Sequence, residues 1–130
     1  NIAGVIGMGA AIDYINSIGI NKILTHEHKL KEYLVNKLSD IDNILIYNKN
    51  NVGSIVAFNV EKVFSQDVAI YLDKYNICVR AGNHCAKILN NVFNVNNTCR
   101  ISLAFYNTKE EVDKFIEVIK KVDNIYDEII

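Results

Sequence analysis

The spacing of apolar residues in the first third of the chain predicts two consecutive helices. The first spans Ile2–Ile18 and ends at Gly19, because glycine directly after an apolar periodic segment is a common helix stop. The second spans about residues 21–39 and carries an apolar stripe at i, i+4 and i+8. The stripe consists of Leu30, Leu34 and Leu38. Both segments therefore have the period of a helix.

Three glycines interrupt the first predicted helix, and each lowers its intrinsic helix propensity by up to ~1 kcal/mol relative to alanine. They are Gly4, Gly7 and Gly9. Glycine at such spacings usually means that another backbone approaches closely, so we expect tight helix packing here. A dinucleotide-binding loop would need a strand before it, and no strand precedes Gly7.

The rest of the chain alternates short strand-like and helical segments. Strands are predicted at residues 44–47, 54–59, 77–80 and 98–105, with a polar turn-like segment from Asn48 to Gly53. Between the second and third strands, a helix is predicted from about Gln66 to Tyr75, capped by Ser65. Its packing face is predicted to be Val68, Leu72 and Tyr75.

The last helix has the clearest start signal in the chain. Thr108 followed three residues later by Glu111 is the pattern of a capping box. The predicted core face is Val112, Phe115, Ile116, Ile119, Val122 and Tyr126. The element order α-α-β-β-α-β-β-α then indicates an α+β fold, with a mostly antiparallel sheet and helices packed on one face.

Composition narrows the functional classes. The chain has 130 residues, 50% of them apolar, which fits a folded domain with one core. A net charge of -1 argues against a nucleic-acid partner, and no segment has the unbroken apolar length of a membrane span. Three cysteines in unrelated spacings do not form a disulfide framework. We therefore expect a reducing compartment, the cytoplasm, with organellar targeting by an upstream segment left open.

Two histidines in the second helix raise the question of a metal site. His26 and His28 are two residues apart, so they point about 200° apart on a helix. They cannot share one ion, and the pattern is not that of a zinc protease helix. We expect solvent exposure and no metal.

One thiol stands in a glycine-containing loop between two strands that each carry an arginine. The thiol is Cys85, and the arginines are Arg80 and Arg100. Nearby cations favour the reactive thiolate, and guanidinium groups bind both oxygens of a carboxylate at once. This combination would suit an amino-acid substrate, although a surface cysteine is the commoner outcome for an isolated loop thiol. By strand periodicity, Cys99 faces the core and Arg100 the opposite side.

The third thiol, Cys78, shares its predicted strand face with Arg80. It could lie near the loop, but packing is the favoured interpretation.

Two stretches of this chain resemble the C-terminal part of the Suf-type cysteine desulfurases, which are class V aminotransferases of fold type I. They are Arg80-Ala81-Gly82-Asn83-His84-Cys85-Ala86 and Cys99-Arg100-Ile101-Ser102-Leu103-Ala104-Phe105-Tyr106-Asn107-Thr108. The opening segment from Asn1 to Tyr14 is also similar to that family. Two positions depart from it, since Asn83 stands where the family often has histidine and Ile88 where proline is common.

The resemblance implies a small C-terminal domain over residues 20–130, with residues 1–19 as the helix leading from a large cofactor domain. It implies pyridoxal phosphate as cofactor, held by a Schiff-base lysine outside these 130 residues, so we expect the chain alone to be inactive. Cys85 would become the persulfide and Arg100 would hold the carboxylate of L-cysteine, with Arg80 positioning. The roles of His84 and Asn83, in proton transfer or in ordering the loop, are left open.

The implied partners are L-cysteine, a sulfur-acceptor protein of the Suf system for iron–sulfur cluster assembly, and a second subunit of a homodimer. Two alternatives remain open at this point. A selenocysteine lyase of the same family would share every motif. A non-catalytic α+β module could instead bind a small acid through Arg80 and Arg100.

Overall fold

Two helices lead into the domain and meet at a sharp bend. The structure, a computed structural model, describes residues 1–122 and Ile125. Helix α1 spans Ile2–Ile18 and α2 spans Ile20–Ser39, with a 73° bend between them at Gly19. Gly19 has a φ of 93°, a region that side-chain-bearing residues rarely adopt, which explains why glycine ends the first helix there. The predicted helices are confirmed, and α2 begins one residue earlier than expected.

The four strands form one antiparallel sheet in the order β1-β2-β4-β3. Their bounds are Ile44–Ile46 for β1, Ile55–Val60 for β2, Arg80–Gly82 for β3 and Thr98–Ser102 for β4. The remaining helices are α3 at Ser65–Asp73, α4 at Lys87–Val92 and α5 at Lys109–Ile119. The order along the chain is therefore α-α-β-β-α-β-α-β-α.

Helices cover one face of the sheet only. On this face, Val56 and Phe58 of β2 and Cys99 of β4 are fully buried in a core that also contains residues of α2, α3 and α5. The rings of Phe58 and Phe115 meet edge to face with centroids 6.0 Å apart. The predicted α+β class, with a mostly antiparallel sheet and helices on one face, is confirmed. The opposite face of the sheet, which we call the outer face, has no such cover among the described residues.

The core stripe of α2 is as predicted. Leu30, Leu34 and Leu38 are at most 2% exposed. Lys31, beside this stripe, is also buried, and its ammonium group donates to the backbone carbonyl and the side-chain amide oxygen of Asn51. The charged end of Lys31 thereby attaches the β1–β2 loop to α2, a contact that the apolar pattern did not reveal.

Helix α3 begins one residue earlier than predicted and has no side-chain cap. Phe64 occupies the N-cap, and Ser65 is the first helical residue, with its hydroxyl bonded to Gln66. The prediction that Ser65 caps the helix is therefore wrong. Val68 and Leu72 are buried as expected, and Tyr75 is partly buried against the core.

The strand predicted at residues 77–80 lies three residues further along. Asn76 takes a φ of 59°, and Ile77 bonds back to Leu72 at the end of α3. Residues 77–79 then run apart from β4 along a cavity of about 330 Å³, bounded by α5. Pairing starts only at Arg80, opposite Arg100. The strand prediction is wrong at residues 77–79, because Ile77 bonds to the end of α3 and pairing with β4 begins only at Arg80.

The strand predicted at 98–105 is also shorter than expected, since residues 103–105 are not part of β4. After β4 ends at Ser102, the backbone amide of Ala104 donates to the side chain of Asn107, and the Asn107 amide donates back to Ala104. This turn takes the place of further strand pairing. The short helix α4 was not predicted, because a six-residue segment carries too little periodicity to separate it from a loop.

The expectation that α1 packs tightly through its glycines is wrong within this chain. Among the described residues, nothing lies within 4 Å of a Cβ atom placed at Gly7 or Gly9, and at Gly4 the near atoms belong to Asn1. No residue of α1 is buried, although Ile2, Val5 and Ile6 are large and apolar. The predicted division into residues 1–19 and 20–130 coincides with the bend at Gly19 and stays a prediction.

No single helix within residues 1–122 is both long and apolar enough to cross a membrane. Only the bent pair of α1 and α2 reaches that length and apolarity, and only when the two helices are taken together.

The capping box of α5 is present as predicted. The Thr108 hydroxyl accepts from the Glu111 amide, and the Glu111 carboxylate accepts from the Thr108 amide. The hydrogen bond from the Asn107 side chain to the Glu111 carboxylate, and after it the bond from the Thr108 amide, lower the pKa of Glu111. The predicted core residues of this helix are buried from Val112 to Val122, while Tyr126 falls outside the described residues.

Replacing Thr108 by alanine should lower the free energy of unfolding by about 1 kcal/mol, since one helix-end amide loses its acceptor. Thr25→Ala in the interior of α2 is the matched control, because that hydroxyl only bonds the carbonyl of Asn21 within the same helix. Urea unfolding of both variants measures the difference. An equal loss of stability in the two variants would contradict the assignment.

Candidate functional site

The outer face of the sheet presents two arginines side by side. Arg80 of β3 and Arg100 of β4 are direct partners in the antiparallel register, so both side chains leave the sheet on the same face. On the other side of Arg100, its partner in the register is Ala57 of β2. The predicted orientation of Arg100, away from the core, is confirmed by this register.

Two like charges directly opposite each other destabilise a sheet unless something compensates them. Among the described residues, neither guanidinium has an acidic partner within salt-bridge distance. Arg80 is exposed, whereas Arg100 is half-buried and its Nε atom is buried without a hydrogen-bond partner. A buried unpaired donor is costly, so this pair of cations is suited to an anionic group bound between them.

Cys85 stands on a strained turn that starts directly after β3. The turn is closed by the amide of Ala86, which donates to the carbonyl of Asn83 at 2.8 Å. Its two central residues, His84 and Cys85, have φ values of 51° and 57°. This is the sign pattern of a type I′ turn, for which Asn-Gly is the usual sequence.

His84 and Cys85 both carry a Cβ atom, so the left-handed conformation costs each of them roughly 1–2 kcal/mol of steric energy. Such conformations persist only where surrounding contacts hold them, and they cluster at functional sites. The turn presents the Cys85 thiol to solvent.

His84 is fixed to the neighbouring strand. Its Nε2 atom lies 2.8 Å from the carbonyl oxygen of Thr98 in β4. A carbonyl only accepts, so Nε2 carries the hydrogen, and Nδ1 is the nitrogen that is free to accept in the neutral ring. Nδ1 is buried and has no hydrogen-bond partner among the described residues. The ring therefore orders the turn and also keeps one acceptor unused.

Asn83 is fixed from the other side, by Asn90 of α4. The amide nitrogen of Asn90 lies 3.1 Å from Oδ1 of Asn83 and 3.3 Å from the carbonyl oxygen of Asn96. Asn90 is 5% exposed and is the buried residue of its helix. Sequence reasoning missed this contact, since an asparagine in a polar segment carries no periodic signal.

The three thiols occupy different environments. Cys99 is fully buried, donates to the carbonyl of Ser65 at 3.2 Å, and has its pKa raised to about 12 by burial. This confirms the prediction that Cys99 is a core residue. Cys78, predicted to pack, is exposed and lines the rim of the cavity next to α5. The packing prediction is wrong because residues 77–79 are not in the sheet.

The two histidines of α2 have separate partners. Both are exposed, with His26 bonded to the carbonyl of Asn107 and His28 near Glu32. Within residues 1–122 and Ile125, no group of three or more histidine, cysteine or acidic side chains has the arrangement of a metal centre.

Residues 1–115 match the family model described as aminotransferase class V. A cysteine desulfurase from Wigglesworthia glossinidia brevipalpis is 43% identical over 122 residues, which is 94% of this chain and 30% of that protein. The chain thus spans about 30% of the length of this curated relative.

Solved structures agree with that match. The apo cysteine desulfurase from Thermococcus onnurineus NA1 superimposes with a TM-score of 0.89 at 37% identity, over 94% of this chain and 31% of that one. The cysteine desulfurase CsdA (S-sulfonic acid) from Escherichia coli gives 0.87 at 30% identity, over 98% and 31%. The sheet, its helices and the matched residues together show that this chain belongs to the class V aminotransferase family.

Proposed function

We propose that this chain serves as the small domain of a cysteine desulfurase, in which Cys85 takes the sulfur of L-cysteine and releases L-alanine. The observation that carries the proposal is the strand register that sets Arg80 opposite Arg100, next to a strained turn bearing an exposed thiol. Support also comes from relatives named cysteine desulfurase that match over 94% or more of the chain.

The guanidinium pair explains how an amino-acid substrate would be held. A carboxylate between Arg80 and Arg100 would compensate their mutual repulsion and supply an acceptor for the buried Nε of Arg100. Arg100 is the stronger candidate for the direct contact, because its half-buried side chain is screened less by water than the exposed Arg80. Binding at this point would orient the substrate against the outer face.

Family membership implies pyridoxal phosphate in the complete enzyme. The donor-rich outer face fits an anionic substrate bound to that cofactor, since the unpaired Nε of Arg100 and the guanidinium of Arg80 can only donate. When bound, the cofactor supplies an electron sink for the substrate carbon. The residues that would hold its ring are expected outside this chain.

Cys85 would act as the nucleophile. Its thiolate attacks the sulfur of the substrate, a new S–S bond forms, and the carbon–sulfur bond breaks with its electron pair left on carbon. The carbon then takes up a proton to become L-alanine, and Cys85 carries the persulfide. His84 is tied to Thr98 through Nε2, so its free Nδ1 is the atom that would accept a proton near the turn.

The sulfur would leave by attack of an acceptor protein at the site itself. Cys85 follows Arg80 by five residues, which limits its reach to under ~20 Å even if fully extended. The segment that leads from Cys85 back to β4 is also attached to the domain, through buried Asn90 and through Phe93. The ring centroids of Phe93 and Tyr47 are 5.2 Å apart. We propose an acceptor of the Suf system, a homodimeric enzyme and a reducing compartment such as the cytoplasm.

In the full-length enzyme, Arg100→Lys should lower kcat/KM for L-cysteine by roughly 10- to 100-fold, because the lysine keeps the charge but loses the two-pronged geometry. Arg80→Lys is the matched control, with a change of a few-fold at most on an exposed side chain. Alanine formation is the measurement. Small and equal effects would show that the carboxylate is bound elsewhere.

The thiols should react with limiting iodoacetamide at pH 8 in the order Cys85, Cys78, Cys99. Cys85 stands on an exposed turn, whereas Cys78, although exposed, lines a largely apolar cavity. With a pKa of about 12, Cys99 has roughly one thiolate in ten thousand at that pH. Peptide mass mapping gives the order of labelling. As a control, Cys85→Ser should leave the rate of labelling at Cys78 unchanged. Labelling of Cys99 before the other two would contradict the structure.

A further inference from the structure

The turn that carries Cys85 needs an external restraint. Its central residues, His84 and Cys85, both have left-handed φ values, and left alone the backbone would relax to a common conformation. The ring of His84 is one restraint, through Thr98. This hydrogen bond restrains the second residue of the turn. The first residue, Asn83, requires a separate restraint.

Asn90 supplies that restraint from α4. Its side-chain amide donates both to Oδ1 of Asn83 and to the carbonyl of Asn96. Its backbone is bonded on both sides as well, since its amide donates to Ala86 at the end of the turn and its carbonyl accepts from Val95. One residue therefore connects the start of the turn, the end of the turn and the segment that leads into β4.

The burial of Asn90 is unusual for its helix. The other five residues of α4 are all exposed, including the apolar Ile88 and Val92. Burying an amide is costly unless its hydrogen bonds are made, and an apolar side chain would anchor a short helix without that cost. A polar anchor at this position indicates that directed hydrogen bonds, not apolar burial, are needed there.

We propose that Asn90 is a positioning residue that holds the Cys85 turn in its reactive geometry through Asn83. The proposal deepens the proposed function, because the purpose of the restraint is to aim the Cys85 thiol at the substrate sulfur. Asn90 acts through Asn83, since the hydrogen bonds of its side chain go to Asn83 and Asn96. Without it, the turn opens and the thiol samples many directions.

Hydrogen exchange at the Ala86 amide tests the restraint directly, since this amide closes the turn on Asn83. In this chain, Asn90→Leu should speed exchange at Ala86 by roughly three- to tenfold, while the Leu103 amide, bonded to Ser54 beside the sheet, stays unchanged. The matched control is Asn91→Leu, the same substitution on the exposed neighbour. Equal acceleration at Ala86 and Leu103 would show that Asn90 only stabilises the fold, and would overturn the proposal.

A second variant tests the same hydrogen bond without changing a buried residue. Asn83 is exposed, so Asn83→Ala removes the acceptor without emptying a buried position. It should reproduce the faster exchange at Ala86, and combining it with Asn90→Leu should add little more. Fully additive effects would show that the two residues do not act through their shared bond.

In the full-length enzyme, Asn90→Leu should lower kcat for alanine formation by roughly tenfold and leave KM for L-cysteine within about twofold, since misaimed groups slow the chemical step while Arg100 still binds the carboxylate. A rise in KM with unchanged kcat would contradict the positioning role. If the unsubstituted enzyme forms no alanine, the proposed function fails, while the exchange result still decides whether Asn90 holds the turn.

Discussion

The pairing of β3 with β4 is the constraint on which the candidate site depends. Only three residues of β3 take part, yet this short ladder sets Arg80 against Arg100 and starts the Cys85 turn at the edge of the sheet. The inward partners, Ala81 and Cys99, lie on the core side of the same ladder. The core thus fixes the register, and the register fixes the spacing of the two cations.

The same sheet separates two kinds of cysteine chemistry. On the covered face, Cys99 is fully buried and its raised pKa keeps it a neutral thiol. At the open edge, Cys85 is exposed on a backbone conformation that its side chain disfavours. The energy for that conformation comes from contacts on either side, through His84 to β4 and through Asn83 to α4. Residues 83–85 therefore contain both the strained backbone conformations and the side chains whose hydrogen bonds hold them.

Sequence patterns predicted the regular parts of this fold well. The Leu30, Leu34 and Leu38 stripe, the stop at Gly19 and the capping box at Thr108 each rest on local spacing, and each is present. The predictions failed where tertiary contacts override local preference. Residues 77–79 follow the end of α3 without pairing with β4, and so Cys78 lies outside the sheet.

The candidate site was predictable in its residue types but not in its geometry. The thiol, the two arginines and the glycine were recognisable in two short motifs. Strand periodicity indicated on which face of the sheet Arg100 lies. The direct pairing of Arg80 with Arg100 depends on the register, and the restraint from Asn90 depends on the burial of one polar side chain. Neither has a local sequence signal.

In the proposed reaction, the thiol on the restrained turn receives the sulfur. The most direct test of this step is to incubate the full-length protein with L-cysteine, without reductant, and to map the cysteine-containing peptides by mass. We expect a mass increase of one sulfur atom on the peptide containing Cys85, and none on the peptides containing Cys78 or Cys99. Sulfur found on Cys78, or on no cysteine while alanine is formed, would contradict the proposal.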